Sequence, residues 1–286
     1  MTERRIIYYY QTFCGLSDIL QNPDCQVTHI HLASIHFGNN PDGSPYIHLN
    51  NYPPDNPKFT KVWEELEIAS TRGIKIILMM GGAGGAYTCL FNDYQPYYKL
   101  LKNTILTHPM IHGIDLDIEE GVSLNNIKML IRYIDIDFGD RFIISMAPLG
   151  SSLEQDVPGM GGFCYKDLYN TPEGKRINYF NGQFYGNFNT ESYQKCITNG
   201  YPSNKVIIGM LAGQQPLSSC LITLTTLSKQ YFDFGGIFVW EYYDAPPDSP
   251  LHPGEWAIKV SQAMMTQHTS LGYKYEEIQQ SDLSDY

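Results

Sequence analysis

The chain contains no run of lysine or arginine longer than a pair, such as Arg4-Arg5. Its 19 basic residues stand against 30 acidic ones, for a net charge of -11 and a sequence pI of about 5.1. Such a surface repels phosphate backbones, so no nucleic acid is expected as a partner. The 6 cysteines show no CxxC or CxxxC spacing, which argues against a structural zinc site, and no metal or cofactor is expected. An even count permits disulfides in an oxidising compartment, but a chain of 286 residues is too large to need them. No long apolar run is present, so no membrane span is expected, and low-complexity segments are lacking. Met1-Thr2-Glu3-Arg4-Arg5 leads straight into a strand-like segment without the pattern of a signal peptide. The expectation is a cytoplasmic or released monomer, or a secreted one if an export signal has been trimmed.

Hydrophobic content is 43% and charged content 17%, the balance of a globular protein. The 22 tyrosines and 13 phenylalanines are many; aromatic rings fill cores, and their faces also stack on sugar rings. Strand-like segments fall at 5–10, 27–37, 74–80, 111–119, 142–147, 177–185, 206–211 and 236–240. Helical spacing falls at 59–72, 94–108, 124–138, 192–199, 218–231 and 255–265. The segment 39–57, rich in Pro, Asn and Asp, reads as a long loop. Repeated βα units over this length predict a single-domain (β/α)8 TIM barrel across residues 1–267, with a doubly wound open sheet as the alternative. Residues 268–286 read as a tail outside the barrel.

One strand stands out. In Gly113-Ile114-Asp115-Leu116-Asp117-Ile118-Glu119-Glu120, three acids alternate with aliphatic residues. Successive side chains of a strand point to opposite faces, so Asp115, Asp117 and Glu119 share one face and Glu120 leaves it. Burying such groups is costly unless they are paired, and close carboxylates cannot all ionise cheaply. At least one should hold a raised pKa, and Glu119, outermost at a barrel's C-terminal end, suits a general acid. A salt-bridged structural cluster or a hard-metal site would use the same residue types. Gly81-Gly82-Ala83-Gly84-Gly85 lacks the Lys-Ser/Thr of a P-loop, and reads instead as a place where backbone approaches a ligand closely.

The acidic strand resembles the DGxDxDxE signature of glycoside hydrolase family 18, the chitinase family. Ile77-Leu78-Met79-Met80-Gly81-Gly82 resembles its SxGG segment, with Met79 where Ser usually stands. Asn181-Gly182-Gln183-Phe184-Tyr185 and the closing stretch Gly235-Gly236-Ile237-Phe238-Val239-Trp240-Glu241-Tyr242-Tyr243-Asp244 are similar to those of hevamine-like, plant class III chitinases. His112 replaces the first Asp of the signature but faces away from the other acids by strand parity.

The resemblance implies retaining, substrate-assisted hydrolysis of β-1,4-linked N-acetylglucosamine through an oxazolinium ion. It implies Glu119 as the acid, Asp117 as the partner of the acetamido group, Asp115 as its support and Tyr185 as an acetamido donor. Trp240 would form the floor of the sugar site, with Gln183, Met146, Gly81 and Gly82 beside it. One of Tyr8, Tyr9 and Tyr10 should face the sugar; strand parity leaves open which. The implied partners are chitin or other N-acetylglucosamine-containing glycans. An endo-β-N-acetylglucosaminidase acting on N-glycans and a non-catalytic carbohydrate-binding protein are the alternatives.

Overall fold

A computed structural model describes residues 4–265. The tail expected from residue 268 lies outside the described residues. Nine strands form one sheet: β1 (Arg5–Tyr10), β2 (His29–Asn39), β3 (Pro45–Leu49), β4 (Lys75–Gly81), β5 (Ile111–Asp117), β6 (Ile143–Met146), β7 (Tyr179–Gln183), β8 (Val206–Leu211) and β9 (Gly236–Trp240). Eight are parallel, and β1 pairs with both β2 and β9, which closes the barrel. Only β3 runs antiparallel, as a hairpin partner of β2. The fold is a single-domain (β/α)8 TIM barrel, with the acidic strand as the fourth strand of the parallel barrel.

Helices cover the outside, and their apolar spacing decides which face they bury. Thr60–Thr71 buries Val62, Leu66 and Ala69, and Leu124–Phe138 buries Ile127, Leu130, Ile131 and Ile134. The second begins where the Ser123 side chain accepts from the Asn126 N–H, meeting one of the donors a helix start leaves unpaired. Helix Gly254–Met265 packs near the closing seam. There the buried Tyr8 hydroxyl donates to Pro253 O at 2.6 Å and accepts from Ala257 N at 3.1 Å.

The strands carry two cores. Ile6, Tyr8, Tyr10, Ile114, Leu116 and Met146 belong to the large cluster under the helices. Ile7, Tyr9, Ala33, Met79, Tyr179, Ile207 and Phe238 fill the barrel interior. Tyr9 is thus the inward-facing member of its tyrosine triplet.

Three sequence expectations change. Met146 does not line the pocket: it pairs in register with Leu116, so both face the helices, and its neighbour Ser145 faces inward. The segment 39–57 is not all loop. Asp42-Gly43 makes a tight turn, with Gly43 at φ 84° and the Asp42 carboxylate accepting from Ser44 N at 2.9 Å, and β3 returns alongside β2. An additional short helix, Tyr87–Asn92, follows the glycine run.

Candidate active site

Strand β5 delivers Asp115 and Asp117 into the barrel interior and stops; Glu119 lies just beyond its C-terminal end, half-buried. Asp115 is fully buried and Asp117 is 5% exposed. The deeper carboxylate is surrounded by donors from other strands. Its Oδ2 accepts from the Tyr9 hydroxyl at 2.8 Å, and its Oδ1 from the Ser145 hydroxyl at 2.6 Å and Asn181 Nδ2 at 3.2 Å. His31 Nδ1 stands 3.4 Å from Oδ2. Burial pushes the Asp115 carboxyl up, but His31, Ser145 and Tyr9 outweigh it and hold the group below its ordinary value.

Asp117 has the opposite balance. Burial, then the charges of Glu119 and Asp115, push it well above the usual carboxylate range. The raised carboxyl expected in this cluster is therefore Asp117, while its deeper neighbour is held down.

Gln183 at the end of β7, Tyr185 two residues beyond it and Trp240 at the end of β9 complete the mouth. Gln183 Nε2 donates to Ala147 O at 2.9 Å and Asp117 Oδ1 at 3.2 Å, and reaches Glu119 Oε1 at 3.5 Å. Tyr185 and Trp240 pack half-buried on the interior cluster, Trp240 with its ring 5.3 Å from that of Tyr9. Burial and the three carboxylates push the Tyr185 hydroxyl well up, so it keeps its proton and can donate. A β-carbon on Gly82 would come 3.5 Å from Asp117 Oδ2, so this glycine borders the carboxylate. Gly81 is different. A β-carbon there would lie 2.1 Å from Asp117 O, so its missing side chain serves the packing of β4 against β5 rather than the approach of a ligand.

Two further acids hold the rim. Glu120, turned from the acidic face, accepts from Ala86 N, from Tyr87 N at 2.7 Å and from Thr88 N at 3.1 Å, which caps Tyr87–Asn92. Glu241, next to Trp240 and 6% exposed, accepts from Gln11 N at 2.8 Å and Thr12 N at 2.9 Å. Beside them lies a polar cleft of about 580 Å3 lined by Gln11, Thr12, His36, Asn50, Asn51 and Gly84. A smaller cavity of about 250 Å3 sits at the opposite end, at Arg5, His29, Lys75 and Tyr179.

The structure thus brings together Asp115, Asp117, Glu119, Gln183, Tyr185, Trp240 and Gly82. It moves Met146 to the outer core and gives Gly81 a packing role. His31, Ser145, Asn181 and Glu241 join the site without having been singled out. A signal for the first two existed: each is a polar residue within an apolar strand. His112 stays outside, accepting from Ile76 N at 3.1 Å. Among the described residues, no group of three or more His, Cys, Asp or Glu is arranged to hold a metal ion, and no helix is long and apolar enough to cross a membrane.

No family model matches the chain. Solved structures do. A fungal endo-β-N-acetylglucosaminidase from glycosyl hydrolase family 18 is 31% identical, with a TM-score of 0.83 over 91% of this chain and 97% of that one. A chitinase from Aspergillus fumigatus is 32% identical, with a TM-score of 0.79 over 92% of this chain and 100% of that one. Chitinase 2 of Rhizopus oligosporus is 24% identical over 241 residues, which are 76% of this chain but 44% of the relative.

Proposed function

Because the chain belongs to glycoside hydrolase family 18, we propose that it is a glycosidase that hydrolyses β-1,4-linked N-acetylglucosamine, in chitin or its oligosaccharides, with retention of configuration. One observation carries this reading: the buried carboxyls of Asp115 and Asp117, the first held down and the second pushed up, lie below a half-buried Glu119 beside Gln183, Tyr185 and Trp240.

In this mechanism Glu119 gives its proton to the glycosidic oxygen as the bond to the anomeric carbon breaks. The substrate's own acetamido oxygen forms the new bond to that carbon, giving an oxazolinium ion. The aspartate pair supplies the counter-charge, already in place and shielded from water. Asp117 orients the acetamido N–H, Tyr185 donates to the acetamido oxygen, and Trp240 carries the sugar on its face. Glu119, now a carboxylate, takes a proton from the water that opens the oxazolinium. The configuration at the anomeric carbon is restored.

Hydrolysis within N-glycan cores is the second reading, supported by the likeness to the endo-β-N-acetylglucosaminidase, and it needs the same acetamido chemistry. Incubation with chitooligosaccharides and with a high-mannose glycoprotein, with products read by mass, separates the two. Glu119→Gln is expected to lower turnover about 10²–10⁴-fold on whichever substrate is cleaved. Near-wild-type turnover in that variant would remove Glu119 from the acid role. Binding without products in the wild type would favour a carbohydrate-binding protein.

A further inference from the structure

His31 is fully buried on β2, and none of the steps above uses it. Its Nδ1 faces Asp115 Oδ2 at 3.4 Å, its Nε2 lies 3.1 Å from the Tyr179 hydroxyl, and its ring packs 4.8 Å from that of Tyr9. Its ring neighbours Tyr9 and Tyr179 belong to the apolar cluster of the barrel interior, a place that an aliphatic side chain would fill at less desolvation cost. An imidazole there calls for a polar reason, and the group it faces is the deepest carboxylate of the site.

Asp115 has three neutral donors in Tyr9, Ser145 and Asn181. His31 differs from these three in being able to carry positive charge. We propose that His31 is a positioning residue that acts through Asp115: it keeps the negative charge of the aspartate pair on Asp115, and therefore the shared proton on Asp117. Its catalytic consequence rests on the glycosidase reading above; its electrostatic consequence does not.

The surroundings favour this arrangement. Sensing the charge on Asp115 are Tyr9 from β1, His31 from β2, Asp117 on its own strand, with Glu119 acting on Asp117, Tyr179 from β7 and Tyr185 just beyond that strand. Tyr87 and Tyr165 sense its charge from further out. Burial pushes all five tyrosine hydroxyls up, so they stay neutral donors. On the far side of His31 lie His29, on the same strand, and Tyr179, whose ring carries the Arg5 guanidinium 4.5 Å from its centroid. Burial disfavours charge on Asp115, while the His31 contact favours it. Without it, the proton has less reason to stay on the outer aspartate.

The test uses full-length His31→Leu and His31→Gln, with melting temperature followed from pH 3 to 8 and kcat and KM measured on a chitooligosaccharide over the same range. A carboxylate held below its unfolded value stabilises the fold above that value, and the contribution is lost as pH falls through the folded value. Removing His31 raises the folded value. The acid-side loss of stability, and the acid limb of kcat, are expected to begin about 1 pH unit higher in His31→Leu. His31→Gln, which puts an amide where the imidazole faces Asp115, should show a smaller shift and recover part of the lost kcat. KM should stay within about twofold, since His31 touches no substrate. If His31→Leu does not fold, His31→Gln decides alone. Folded variants that keep the wild-type acid limb in both readouts overturn the proposal. A wild type without turnover removes the glycosidase reading, while the melting profile still decides the role of His31.

Discussion

At Asp115 and Asp117, two chemically identical side chains two residues apart are driven in opposite directions by what surrounds them. Asp115 collects donors from three other strands and is held down; Asp117 collects like charge and is pushed up. The sign of the stability effect follows. A carboxyl raised on folding contributes fully below its unfolded value, about 3.9, and loses that contribution as pH rises through the folded value. Asp117→Asn removes the loss. Its melting temperature should therefore match the wild type near pH 4 and exceed it increasingly toward pH 8. A constant difference across that range would show that Asp117 does not hold the proton. The acids themselves are legible in the sequence because strand geometry fixes the alternation of side chains. Their partners are not. Tyr8, Tyr9 and Tyr10 carry no phase, since three identical residues look the same in either rotation of the strand, and only closure against β9 and β2 selects Tyr9. Strand β6 does carry a phase: Ser145 is its polar residue and faces in, which turns Met146 out.

At the scale of elements, the long amphipathic helices and apolar strands are readable from period alone. What period misses are short pieces that side chains hold in place. The helix Tyr87–Asn92 is too short to be stable by itself, and Glu120 provides what its sequence lacks by accepting its first N–H groups and the Thr88 hydroxyl at 2.5 Å. Strand parity removes Glu120 from catalysis but does not reveal this second task. Glu120→Ala should cost about 1–2 kcal/mol, seen as a lower urea midpoint with an unchanged slope. Because the capped turn follows the glycine segment at Asp117, KM should rise more than kcat falls. An unchanged midpoint would show that the cap is dispensable. Strand β3 escapes notice for a related reason: Asp42-Gly43 signals a hairpin, but the Pro and Asn residues around it read as loop.

For the whole molecule, closure is the decisive event, and it joins the first strand to the last. β1 pairs with β9, and Tyr8 ties β1 to the start of helix Gly254–Met265 through Pro253 O and Ala257 N. Tyr8→Phe takes the hydroxyl away from the buried Ala257 N–H and leaves Pro253 O only the long bond from Trp256 N at 3.4 Å. It should cost about 1–3 kcal/mol, lowering the melting temperature by about 2–4 °C for each kcal/mol. Tyr8 faces the helices, so kcat at 25 °C should not change. A fall in kcat without a fall in melting temperature would mean that Tyr8 reaches the site. The barrel is legible in the sequence because βα alternation over this length admits few closed topologies. The closing contacts are not, because their partners lie some 250 residues apart and no local pattern links them.

The same seam carries Glu241, whose carboxylate fastens Gln11 and Thr12 to the residue after Trp240. The two flanks of the cleft therefore differ in how freely they can evolve. On the β9–β1 flank, any change in the rim is transmitted to the platform that would carry the sugar. On the other flank, β2 reaches the rim through His36, whose Nδ1 lies 2.7 Å from Gly85 O, and Asn50, just after β3, donates to Gln11 O at 3.1 Å and accepts from Ser34 N at 3.1 Å. The hairpin tip closes on itself, the Asp42 carboxylate accepting from Ser44 N at 2.9 Å, so changes there leave the acidic strand and the β9–β1 seam untouched.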